Sequence, residues 1–378
     1  MKIAFVYDAV YPWIKGGAEK RIYELGKRLA GRGNEVHVFG IKWWCGPDII
    51  ENEGMVLHGI CSSMELYTDG RRSISEAIIF SVKLMPHLMK ERFDVIDVCA
   101  FPYFSCFSAR TVSILKRTPM IITWHEVWGE YWYEYLGWKG FFGKFIEKVI
   151  ARLPDRHIAV SAHTKKELGA LGVKKKKITV IPNGIDLMLI NDIPANIERC
   201  DVIFAGRLIK EKNVNRLIES IWDLKKQLPG IQCLIIGNGP EKQNLVGLID
   251  KLDLKENVKI QDFMDYRNFV SLLKSSGVFV LASKREGFGI VLLEAMASLT
   301  PVIAVESRRS AASDIVNGSN GILCHIDEIQ KYIIYILTNE TLRKEMVKKG
   351  FEYVREYDWE HITEKLSRFY KIMGVAHE

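Results

Sequence analysis

The sequence predicts an α/β protein built as two doubly wound domains, each a parallel sheet wrapped by helices. Three observations carry that expectation. The chain has 378 residues, which is long for one ordinary core. Short runs rich in Val and Ile alternate with stretches of helical periodicity. That alternation starts at the N-terminus and starts afresh near residue 201.

In the first half, a strand is expected at 3–7, followed by a loop carrying Gly16 and Gly17. A helix over 18–30 places Ile22, Leu25, Gly26 and Leu29 on one side. The turn 31–34 leads into a second strand at 35–39, and apolar runs at 95–99, 120–123 and 157–160 supply more. Within the dense aromatic stretch 124–153, residues 141–153 read as a helix with Phe142, Phe145, Ile146, Val149 and Ile150 on one side. That helix either packs on its own sheet or offers a surface to a membrane or a sugar. In the second half, strands are expected at 201–205, 233–236, 258–260, 278–281 and 302–304. Helices are expected between them at 214–227, 240–251, 266–275 and 291–297. Turn signals over 183–200 mark the boundary, giving domains of 1–188 and 189–358. A last helix at 359–373 either finishes the second domain or crosses back to the first, taking 359–378 with it.

Composition excludes several classes. With 48% hydrophobic and 26% charged residues the chain reads as soluble and globular, and no run of eighteen apolar residues suggests a membrane span. The N-terminus lacks the pattern of a secretion signal, so a cytoplasmic location is expected. Seven scattered cysteines without a C-x-x-C spacing read as buried free thiols, and neither an H-E-x-x-H nor a Walker pattern is present. The net charge of +7 lies wholly in residues 1–188, which hold 27 Lys and Arg against 20 Asp and Glu. This is either a footprint for an anionic partner or a solvated surface.

The stretch 283–297, SKREGFGIVLLEAMA, carries the chemistry. It follows a predicted strand, so its loop lies at a carboxyl end, where open parallel sheets bind ligands. Gly287, Phe288 and Gly289 lead into a helix opening at Ile290, whose first amides suit a phosphate. Glu286 and Glu294 flank that position and can accept hydrogen bonds from vicinal hydroxyls. Arg207 and Lys212, past the strand at 201–205, supply cations for a diphosphate. A sugar nucleotide meets all three requirements.

These motifs together resemble the retaining glycosyltransferases of family four, the group 1 glycosyl transferases, which have the GT-B fold. The resemblance runs along the chain through GGAEKRIYELGKRLAGRGNEVHVF, VSAHTKKEL, VIPNGID, FAGRLIKEKNV, IIGNGPE and EGFGIVLLEAMA, in that order. It implies two Rossmann-like domains facing across a cleft, with the acceptor on the side of the first and the nucleotide sugar on the second. It implies that Glu286 binds the donor sugar, that Glu294 binds the ribose, and that Arg207 and Lys212 hold the diphosphate and stabilise the leaving group. The amides from Gly287 to Ile290 would complete the phosphate cradle, and Gly16 and Gly17 would close on it. His125, in ITWHE, matches a family histidine near the reaction centre. No cofactor is implied beyond the nucleotide-sugar donor, and no metal, since the chain lacks a D-x-D pair. The acceptor is expected to be a carbohydrate or lipid-linked group, although the resemblance leaves protein-linked and small soluble acceptors open. The charge excess in 1–188, the aromatic stretch and the basic helix after it point to peripheral contact with an anionic membrane, and no nucleic-acid partner is expected. A sugar-nucleotide epimerase and a non-catalytic sugar-nucleotide binder are the alternatives; the paired glutamates and the complete residue set favour the transferase. The chain departs from the family at Leu299, where a glycine is usual, and over 310–314, where Asp314 stands in for the usual acid.

Overall fold

The computed structural model describes residues 1–64, 67–68 and 71–375. The chain forms two compact units, Met1–Asn183 together with Trp359–Glu378, and Gly184–Asp358.

In the first unit, strands β1 (Lys2–Val6), β2 (Glu35–Lys42), β3 (Ile49–Asn52), β4 (Met55–Ser62), β5 (Val95–Cys99), β6 (Met120–Trp124), β7 (Arg156–Ala159) and β8 (Ile178–Val180) make one sheet. Their order is β8-β7-β6-β5-β1-β2-β4-β3, parallel except where β3 runs antiparallel to β4. The central strands β5 and β6 are buried throughout, as suits the continuous apolar runs of a sheet covered on both faces. Helices α1 (Gly17–Gly31), α2 (Ile74–Met89), α3 (Phe104–Lys116), α4 (Tyr131–Leu136), α5 (Gly140–Ile150) and α6 (Ala162–Ala170) connect them. Ser73 and Ser161 cap α2 and α6, each hydroxyl accepting from an amide three residues on, a donor the helix itself leaves unpaired. The last helix, Trp359–Val375, belongs to this unit. It packs along α1, where Glu360 pairs with Arg28 at 2.8 Å and Arg32 at 2.7 Å, and it buries Trp359, Leu366 and Tyr370.

The second unit restarts the pattern with β9 (Cys200–Ala205), β10 (Cys233–Ile236), β11 (Val258–Gln261), β12 (Ser276–Leu281), β13 (Val302–Val305) and β14 (Ile322–Cys324). The order β11-β10-β9-β12-β13-β14 is parallel throughout. Its helices include α7 (Val214–Lys225), α8 (Lys242–Lys251), α9 (Tyr266–Lys274), α10 (Ile290–Ala297), α11 (Ile329–Thr338) and α12 (Glu340–Val354).

The aromatic stretch divides in a way its periodicity does not show. Trp132 is buried, and it lies over Gly140 and Gly143, where a Cβ on Gly143 would come 2.2 Å from the indole. Small residues therefore face inward on α5, together with Ile150 and a buried Glu147. Glu147 accepts from Tyr103 Oη at 2.6 Å and from the amides of Trp128 and Gly129 at 2.7 and 2.8 Å. This turns Phe142 and Phe145 outward, so the expected packing of those two rings on the sheet is not what forms. All seven cysteines are unpaired, five of them buried, with Cys45 exposed and Cys200 half-buried.

Candidate functional site

In the second unit β9 and β12 are neighbours, so the loops leaving their carboxyl ends run side by side. Two bonds stitch these loops together. Asn213 Nδ2 donates to the Ala282 carbonyl at 3.2 Å, and the Lys284 amide donates to the Glu211 carbonyl at 2.8 Å. Across that seam the Lys212 ammonium pairs with the Glu286 carboxylate. Ser283 Oγ donates to the same carboxylate oxygen at 3.0 Å. A third loop supports Glu286 from behind: residues 285–286 pair with 309–310, and the Ala311 amide donates to the Glu286 carbonyl at 2.9 Å. The departure at 310–314 therefore falls on this support, with Ser310 buried beneath it.

The helix α10 opens beside this pair. Gly289 is its N-cap, left-handed at φ 87°, and no side chain caps the first turn. Gly287 is half-buried, Phe288 packs near Tyr357 with ring centroids 6.2 Å apart, and Ile290 is the first helical residue. Glu294 lies further along the same helix and is buried. Arg207 is exposed on the loop after β9. That loop is backed closely by the one after β10. A Cβ on Gly237 would sit 2.0 Å from the Gly206 carbonyl oxygen, and the Leu208 amide donates to Asn238 at 2.9 Å. The second unit thus gathers Arg207, Lys212, Glu286, the opening of α10 and Glu294. Asn213 and Ser283 hold the arrangement and were not singled out by the sequence.

In the first unit, Gly16 is the extended N-cap of α1 and Gly17 its first residue. His125 follows β6 directly and is half-buried. It lines a small cavity with Arg21, Asp97 and Thr123, walled by Phe5 and Leu25. Burial, and then the Arg21 charge, push the His125 imidazole down to about 3, so it is neutral at physiological pH. Arg21 is buried, its Nη1 donating to the Pro182 carbonyl at 2.5 Å and to Asn183 Oδ1 at 3.0 Å. Asp97 accepts from Thr123 Oγ1 at 2.7 Å and from Tyr370 Oη of the last helix. Burial pushes its carboxyl up to about 6, although both hydrogen bonds oppose that shift. Asp97 had a signal in the sequence, an acid inside the apolar run VIDVC. Arg21 had none, because a basic residue on a helix reads as surface.

A group with metal-ligand spacing, Glu35, His37 and Glu91, lies away from these loops, at the amino ends of the strands. Lys2 bridges its two carboxylates, 2.7 Å from Glu35, and offsets part of the negative charge there.

The profile described as Glycosyl transferases group 1 matches residues 190–353, and that described as Glycosyltransferase Family 4 matches residues 15–189. A phosphatidyl-myo-inositol mannosyltransferase of Mycobacterium leprae is 26% identical over 96% of this chain and 95% of its own length. Other curated relatives match over shorter stretches, spanning between 61% and 68% of their own length. Among solved structures, a sucrose-phosphate synthase from Thermosynechococcus elongatus superposes with a TM-score of 0.86 at 22% identity, covering 99% of both chains. HepE from Anabaena, in complex with UDP-glucose, superposes with a TM-score of 0.77 at 17% identity, covering 98% of this chain and 99% of its own.

Proposed function

Since the chain belongs to the group 1 glycosyl transferases of glycosyltransferase family 4, with the GT-B fold, we propose that it moves a sugar from a nucleotide-diphosphate sugar to an acceptor hydroxyl, retaining the anomeric configuration. The observation that carries this reading is the Lys212–Glu286 pair beside the uncapped opening of α10. Lys212 and Arg207 would offset the diphosphate and stabilise it as the bond from phosphate oxygen to the anomeric carbon breaks. The amides from Gly287 to Ile290 would add the helix dipole to the same phosphate. Glu286, fixed by Lys212 and Ser283, would accept from hydroxyls of the donor sugar, and Glu294 from the ribose. The family pattern assigns donor binding to Gly16 and Gly17 and a hydrogen-bonding role in the reaction to a neutral His125. The acceptor attacks the face from which the nucleotide departs, and its proton leaves with the diphosphate.

The acceptor is a carbohydrate, free or lipid-linked, in glycan or glycolipid synthesis. The name of the mycobacterial relative supports a lipid-linked one, and the bound UDP-glucose of the Anabaena neighbour supports a nucleotide sugar as donor. No helix among the described residues is long and apolar enough to cross a membrane. We propose that a lipid-linked acceptor is met peripherally, at an anionic membrane surface on the cytoplasmic side.

The test is a panel of sugar nucleotides incubated with and without acceptors. Nucleotide release that depends on acceptor supports transfer, whereas an altered donor sugar without acceptor would replace it with epimerisation. Glu286→Ala and Lys212→Ala should each nearly abolish transfer while circular dichroism stays native, because both side chains are half-buried in loops. Normal turnover at saturating donor would remove that residue from the mechanism. With two cations assigned to the diphosphate, activity should persist in excess EDTA. A loss that magnesium or manganese restores would transfer the leaving-group role to a metal.

A further inference from the structure

We infer that the part of one face of the first unit built by α2, α3 and α5 is a docking surface for an anionic lipid bilayer. The inference deepens the lipid-linked-acceptor reading and takes its biological sense from it, but the observations are independent of the donor site.

Topology puts the three helices on one side. The connection from β4 to β5 through α2, from β5 to β6 through α3, and from β6 to β7 through α4 and α5 all step the same way across the sheet. Right-handed crossovers stepping one way lie on one face. The connection from β1 to β2 through α1 steps the other way, so α1 and the last helix cover the opposite face. Ser81 Oγ donates to the Phe104 carbonyl and Ser108 Oγ to the Ser81 carbonyl, both at 2.7 Å, locking α2 to α3. Tyr103, just before α3, binds Glu147 of α5, and Arg110 of α3 pairs with Asp155 beyond α5 at 3.2 Å.

Each helix buries one side in the core and presents large apolar side chains on the other. Ile78 and Val82 do so on α2, Ile114 and Leu115 on α3, and Phe142 and Phe145 on α5. Val82 is 67% exposed, Leu115 64% and Phe142 60%, and Trp138 just before α5 reaches 77%. Single exposed hydrophobics are ordinary, but their concentration on adjacent helices of one face is not.

Charge selects the occupant. The acids within these three helices are Glu76 and Glu147, and both are buried. The exposed charges there are Lys83 and Lys148. At the helix ends and on α4, Lys90, Arg117, Lys139 and Arg152 are exposed beside two exposed acids, Glu130 and Glu134, of which Glu130 pairs with Lys144 of α5, so the cations are in excess. Aromatic and aliphatic side chains ringed by lysines match the headgroup boundary, where rings sit at the interface and lysine stems reach up to lipid phosphates.

Vesicle co-sedimentation without donor or acceptor tests this, so its outcome is separate from that of the transfer assay. The protein should pellet with vesicles containing phosphatidylglycerol, pellet less as salt rises, and stay in solution with pure phosphatidylcholine. Phe142→Ser with Phe145→Ser, or Ile114→Ser with Leu115→Ser, should lower partitioning about tenfold or more. Lys83→Glu or Lys148→Glu should lower it about fivefold or more. Ile372→Ser, an equally exposed change on the last helix at the opposite face, should leave it unchanged, with circular dichroism confirming that every variant folds. No pelleting with anionic vesicles, or equal pelleting with neutral ones, would overturn the proposal. So would a solution dimer that the phenylalanine variants dissolve, which would assign the face to a second copy of the chain.

Discussion

Leu299 shows how a single position can keep a backbone shape while changing the residue that favours it. It follows α10 with φ at 60°, in the left-handed region, and its side chain is 55% exposed. That conformation costs a residue with a Cβ about 1–2 kcal/mol, which explains why glycine is the usual occupant. Glycine gives back about half of that through the entropy of the unfolded chain. Leu299→Gly should therefore raise stability by about 0.5–1 kcal/mol in urea unfolding and leave the transfer rate unchanged. An unchanged or lower midpoint would mean that the exposed leucine contributes packing. At this scale the glycines of the loop before α10 made Glu286, Glu294 and the opening of that helix legible as candidates, because such punctuation restricts where a phosphate can sit. Asn213, Ser283 and Arg21 were not legible, because their roles depend on loops and segments brought together only by the fold: Asn213 reaches Ala282, and Arg21 reaches Pro182.

The element most informative about the architecture is the last helix. Its Tyr370 hydroxyl donates to Asp97, which sits in a central strand and also holds Thr123, the residue two before His125. Tyr370→Phe would leave a buried carboxylate oxygen without that donor, at a cost of about 1–3 kcal/mol in urea unfolding. A variant as stable as the parent would show that the contact contributes nothing. The sequence left open which unit this helix serves, since its apolar stripe says only that one side is buried. The hairpin of β3 and β4 and the helices α2, α3, α11 and α12 fall in stretches for which no element was expected. For α2 the reason is physical: ISEAIIFSVKLMPHLM is apolar on its buried and its exposed sides alike, so no single stripe marks it. The parallel strands were legible because burial on both faces demands the runs of Val and Ile by which they were found.

For the molecule as a whole, buried titratable groups set the pH dependence of stability. Burial pushes His58 and His157 down to about 4 and His125 to about 3, so all three fold as neutral rings. Their contribution is complete above the unfolded value near 6.5 and is lost as pH falls below it, because only the unfolded chain takes up those protons. Asp97, pushed up to about 6 by burial, and Glu76, pushed up to about 8 by burial and then by the Asp8 charge, act in the opposite sense, binding protons first in the folded state. Below about pH 6.5 the protons taken up by the unfolded histidines oppose those bound by Asp97, Glu76 and Asp8, whose carboxyl burial also pushes up, so the histidine part is read by difference. His157→Gln should make stability fall less between about pH 7 and pH 5 than it does in the parent. Urea unfolding of both proteins across that range gives the difference, and an unchanged pH dependence would reverse the assignment for His157. The division of the chain into Met1–Asn183 with Trp359–Glu378, around a continuous Gly184–Asp358, has a consequence for biosynthesis. On the ribosome the unit made second has all its strands once residue 358 emerges, while the unit begun first still waits for Trp359, Leu366 and Tyr370 to cover α1 and bind Asp97. Until those residues emerge, the nascent chain holds a domain with part of its apolar surface uncovered, and such surface is what drives misassociation during synthesis.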